Sequence, residues 1–136
     1  MIAASLAVAA DALTDKRISA RDLKTLDYVE NAHGQLEEWT GRLYHRLENG
    51  LGPREHDPLL DGRADLQVQK ISVTYAGYTH NAALADVLHE LSAAEQKRLD
   101  AVRRMIDDGI DEKAWRDLSE PVHRYMTFLR EWREQR

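Results

Sequence analysis

The sequence predicts an all-α fold, an antiparallel bundle of three to four long helices with a short amphipathic helix at the N-terminus. Apolar residues recur at steps of three and four over long stretches, and helix-capping residues and Gly or Pro punctuate those stretches. The chain has 136 residues, 43% of them hydrophobic, which suits one domain, 1–136, with a sizeable core.

Taken in order, residues 2–14 place Ile2, Leu6, Ala9 and Leu13 on one face, the expected N-terminal helix. Met1 to Ala10 lacks a positive start and its apolar run is short, so it reads as mature protein rather than as a signal peptide. Ser19 followed by Asp22 resembles an N-cap with an acidic first turn. The core face that follows runs Leu23, Leu26, Val29, His33, Leu36, Thr40, Leu43 and Leu47, and Asn49, Gly50, Gly52 and Pro53 end it. Residues 51–63 form a connection longer than bundle hairpins usually need, with Pro53, Pro58 and the pair Asp61-Gly62.

The period resumes at Ala64 and passes through Val68, Ile71, Tyr75, Tyr78, Ala82, Ala85 and His89. Residues 66–75 also carry β-favouring side chains in near alternation, yet the continuing recurrence favours a helix, with Gly77 as a place for a kink. Ser92 and Glu95 have capping-box spacing, which predicts a bend there and a fresh helix over 93–106, closed by Gly109. Asp111 can cap a further helix bearing Trp115 and Leu118, and Ser119 with Pro121 can restart it ahead of Val122, Tyr125, Met126, Leu129 and Trp132.

Composition then narrows the function. Without cysteine there are no disulfides, thiolate metal sites or thiol nucleophiles, and a reducing cytoplasmic setting is the default expectation. No run approaches the ~20 apolar residues of a membrane span, so no membrane role is expected. The net charge of −5 excludes a generic polyanion binder while leaving room for local basic patches. In the last segment Trp115, Tyr125, Phe128 and Trp132 interleave with arginines, but acids there balance the bases, so nucleic acid is not expected. No Gly-rich phosphate loop and no serine nucleophile motif is present.

The leading expectation is therefore a non-enzymatic, protein-binding helical domain, an adaptor, inhibitor or assembly subunit, with a protein partner and room for a homo-oligomer. Its candidate contact residues are Trp39, which widens the apolar face of its helix, His56 in the 51–63 loop, and Phe128, Arg130 and Trp132, since aromatic and Arg anchors dominate interface hot spots. No cofactor is expected on this reading.

The alternative is a metal-dependent bundle. Three histidines follow a carboxylate by three residues: Glu30 with His33, Asp86 with His89, and Glu120 with His123. Residues at i and i+3 share a helix face, so His33, His89, Glu30 and Asp86 could ligate zinc, iron or manganese. A third expectation is a small-ligand pocket lined by Tyr75, Tyr78 and Trp115.

Overall fold

The computed structural model describes residues 18–135, and within them the chain is all helix and connection, with no strand. The expected N-terminal helix over 2–14 lies outside the described residues. Helix α1 (Ala20–Glu48) is capped by Ser19, whose side chain accepts from the Asp22 N–H. Helix α2 comprises Arg63–Gln69, a π-helical turn Lys70–Tyr75 and a last α-turn Ala76–Tyr78. Helix α3 is Ala82–Asp108 and helix α4 is Glu112–Glu134.

The order is up-down-up-down. Gln67 meets Gln35 and Tyr75 stacks on Tyr28, so α2 runs antiparallel to α1. Glu90 meets Tyr125 and Arg98 meets Ser119, so α4 runs antiparallel to α3. Leu26, Val29, Leu36, Leu43, Val68, Ile71, Leu84, Leu88, Leu91, Leu99, Val122 and Met126 build the shared core. Each such side chain stabilises by about 1.5–3 kcal/mol when fully removed from water.

Residues 66–75 are helical, and the β-favouring run leaves its mark as the π turn. Ile71, Ser72, Val73 and Thr74 lose side-chain freedom or compete for backbone bonds in a tight α turn, and the wider turn accommodates one extra residue. The helix then breaks at Thr79–Asn81, where Thr79 turns extended and Asn81 caps α3 by accepting from Ala83 and Leu84. Thr79 also donates to the buried Asp22 at 2.6 Å, tying this corner to the start of α1.

Two expected interruptions do not occur. Helix α3 passes through Ser92, whose hydroxyl donates instead to the Val68 carbonyl, and Glu95 turns inward rather than back to a cap. Helix α4 passes through Ser119 and Pro121; Asp111 alone caps it, accepting from Ala114. Pro121 leaves one N–H fewer in the ladder while core burial on both sides holds the helix together. The 51–63 connection is packed rather than free: Asp57 and Leu59 are buried, and Arg103 donates to the Leu59 carbonyl.

Candidate functional site

The break at Thr79–Asn81 resets the helical phase, so the stripe that reads through to His89 points elsewhere in α3 than the sequence predicts. The buried positions include Leu84, Val87, Leu88, Leu91, Ser92, Glu95, Arg98 and Val102, while Asp86 and His89 lie on the exposed side. Glu30 is not among the ligand atoms gathered at His33 either. Both its oxygens accept from Arg130 of α4, one of them at 3.0 Å, and that guanidinium holds the Glu30 carboxyl below its ordinary range. Of the four expected ligands, only His33 points inward.

What meets His33 is a different set. Its Nδ1 lies 3.1 Å from Glu95 Oε2, and an ionised carboxylate accepts only, so that nitrogen carries the proton. Its Nε2 stands 4.0 Å from Glu37 Oε2. One ligand atom from each of His33, Glu37 and Glu95 falls within 4.8 Å of the others, a separation a divalent ion could bridge.

That space has a resident cation, Arg98. One guanidinium nitrogen donates to Glu37 Oε2 and, at 3.1 Å, to Glu95 Oε1, while the other donates to Ser119 at 3.3 Å. The guanidinium lies 5.4 Å from the centre of the Trp115 ring, which itself stacks on Tyr44 at 4.3 Å. Arg98 is 1% exposed and Glu95 2%, so each charge depends on the other for compensation. Glu37, nearer the surface, also accepts from His123 at 3.0 Å. Burial would raise its carboxyl, but the bonds from Arg98 and His123 outweigh that and hold it down at about 2.

A second cation here would have to displace a guanidinium that cannot lose its charge. Acid–base catalysis meets a different obstacle, since His33 is 5% exposed and its Nδ1 is taken by Glu95. A general base needs its substrate within about 3 Å. The arrangement instead fixes the register of α1, α3 and α4 against one another through charge-assisted bonds.

The expected contact residues separate into two places. Trp39 and His56 come together at the connection end, where the Arg63 guanidinium lies 5.8 Å from the Trp39 ring and donates to the His56 carbonyl. His56 holds a positive φ of 58°, a left-handed conformation in which His, like Asn and Asp, is enriched among residues other than Gly. Phe128 and Arg130 lie on α4, half-buried and exposed respectively, with Arg130 engaged by Glu30. Trp132 is 4% exposed and belongs to the core stripe, so it is not open to a partner. Tyr75 and Tyr78 sit at the opposite end of the bundle from Trp115, which separates the three side chains expected to share a pocket. A concavity along the outer side of α4 is walled by that helix alone among the described residues, so it is an open face rather than a ligand cavity.

Large apolar side chains are instead exposed on α2 and its approach. Leu66 and Val73 share the outer side of α2, 51% and 63% exposed, and Leu60 stands out just before it. Sequence reasoning missed both this pair and the Glu95–Arg98 pair. The signal for the latter was present: Glu95 and Arg98 follow Leu88 and Leu91 at seven residues each, two charges on an apolar stripe.

Comparison of the chain with protein-family models, with curated proteins and with solved structures gives no match. No helix among the described residues is long and apolar enough to cross a membrane.

Proposed function

We propose that this chain is a non-enzymatic helical module that works by binding another protein, and that the outer side of α2 is its contact surface. The observation that carries the reading is the exposure of Leu66 and Val73 on one helix face, beside the half-exposed stack of Tyr28 on Tyr75. The polar interior supports the same reading from the other side, because Arg98 fills the one constellation with donor chemistry that the described residues bring together.

A photo-crosslinking residue at position 66 or 73, with position 104 on exposed α3 as the control, tests this in lysate of the source cells. Discrete adducts with a different polypeptide at 66 and 73 are expected, absent at 104, lost at 66 on Val73→Arg and lost at 73 on Leu66→Arg. Adducts that are absent, or alike at all three positions, would refute it.

A metal-binding reading has one observation in its favour, the proximity of His33, Glu37 and Glu95. It requires Arg98 to leave both carboxylates, and a bound zinc, iron or manganese ion would reveal itself as metal that co-purifies and is lost on His33→Ala.

A further inference from the structure

The seam between α1 and α2 differs in charge from the rest of the surface. Residues 66–85 contain no Asp or Glu, although the chain's 24 acidic residues in 136 would place about three or four in a stretch of that length. The facing side of α1 continues the pattern. Arg21, Lys24, Tyr28, Asn31 and Gln35 follow one another at steps of three and four, and the next carboxylate on that line is Glu38.

Side-chain contacts join these two stripes into one surface. Gln67 donates to Gln35, Tyr28 stacks on Tyr75 with ring centres 5.4 Å apart, and Arg21 lies over the Tyr78 ring at 4.6 Å while donating to its carbonyl. Lys70 stands one turn after Gln67. Among the described residues Arg21, Lys24 and Lys70 form no ion pair, whereas across the α1–α4 seam Asp27 pairs with Arg133 and Glu30 with Arg130. Three cations with no ion-pair partner among the described residues, on a chain of net −5, therefore share the seam with the exposed Leu66 and Val73.

Resting on the protein-binding reading above, we infer that the α1–α2 seam recognises an acidic segment of its protein partner, one that also carries aliphatic side chains for Leu66 and Val73. Charge of one sign on a tyrosine-rich, half-buried surface selects the opposite sign in its ligand and speeds encounter. From Arg21 to Gln35 the seam is ~21 Å long, which matches about four turns of a partner helix. A nucleic acid fits less well. Three cations neutralise few phosphates, and a strand running past the seam meets Glu38 and Asp65.

The test uses fluorescence anisotropy with the full chain and three labelled probes. These are a 16-residue amphipathic peptide of Glu and Leu, its isomer with Lys in place of Glu, and a 16-nucleotide single-stranded DNA. The acidic peptide is expected to bind with an affinity that falls with salt. Lys24→Glu/Lys70→Glu should weaken it by about tenfold or more, with Lys24→Gln/Lys70→Gln in between. Unchanged far-ultraviolet circular dichroism establishes that each variant is folded. No binding of the acidic peptide, equal binding of both peptides, indifference to charge reversal, or tighter binding of the DNA would each overturn the inference. Crosslinked partner adducts at position 73 that survive Lys24→Glu/Lys70→Glu would overturn it alone, leaving the protein-binding reading in place.

Discussion

Replacing Arg98 by Met removes the charge at the centre of the bundle while leaving an unbranched side chain of comparable reach against Trp115. Glu37, nearer the surface, can turn its carboxylate toward water, but Glu95 is 2% exposed and cannot. The cost therefore falls on Glu95 and, for a buried pair broken by loss of one partner, amounts to about 3–5 kcal/mol. For a domain of this size that lowers the thermal midpoint by about 10 °C or more. Adding Glu95→Gln should return a large part of the loss, because glutamine keeps an oxygen for the His33 N–H and carries no charge. The assay is thermal and urea unfolding by circular dichroism of the wild type, both single variants and the double variant, read as a double-mutant cycle. A single Arg98→Met variant within 1–2 °C of wild type would mean that Glu95 does not depend on Arg98 for compensation. Equally damaging would be a Glu95→Gln penalty of full size in the Arg98→Met background, since coupled charges cannot behave additively.

Other consequences follow from the same geometry. The Glu37 carboxyl titrates at about 2 in the folded chain and near 4.3 when unfolded, so its contribution is complete above ~4.3 and is lost as pH falls toward 2. Unfolding midpoints measured across that window should fall less steeply for Glu37→Gln than for wild type, and equal slopes would count against the Arg98 and His123 bonds. Trp132→Ala should destabilise the fold by about 3–5 kcal/mol in urea unfolding, as expected of a core aromatic; a folded variant that lost only partner binding would place Trp132 at an interface instead. Asn81→Ala should cost about 0.5–2 kcal/mol by removing the cap that starts α3, and hydrogen exchange should rise first at Ala83 and Leu84.

The bundle was legible in the sequence because each long helix carries its apolar stripe and its cap locally. Ser19, Gly109 and Asp111 fall where capping chemistry places them. The site was less legible, and the reason is one of phase. Nothing strongly helix-breaking marks Thr79–Asn81, so the stripe of α2 extrapolates through the break and carries His89 onto a face it does not occupy. Ser92 and Glu95 have the spacing of a cap but are used across the bundle, where the Val68 carbonyl and the charge of Arg98 outcompete the local bonds. Partners such as His33 with Glu95 or Glu37 with His123 are 62 and 86 residues apart, and no local pattern announces them. The α1–α2 seam is the opposite case. Its lack of acids is plain in residues 66–85, but what joins it to α1 is three contacts far apart in sequence, Tyr28–Tyr75, Gln35–Gln67 and Arg21–Tyr78.

The central claim is that the interior polar cluster is filled by Arg98 and that function lies on the outer surface. Its most direct test is the metal content of the untagged chain purified without chelator and then supplied with zinc, iron or manganese. Less than about one ion per ten chains before and after supply, for wild type and His33→Ala alike, is the predicted result. A ratio near one ion per chain that vanishes in His33→Ala would contradict the account and place the chemistry at His33, Glu37 and Glu95.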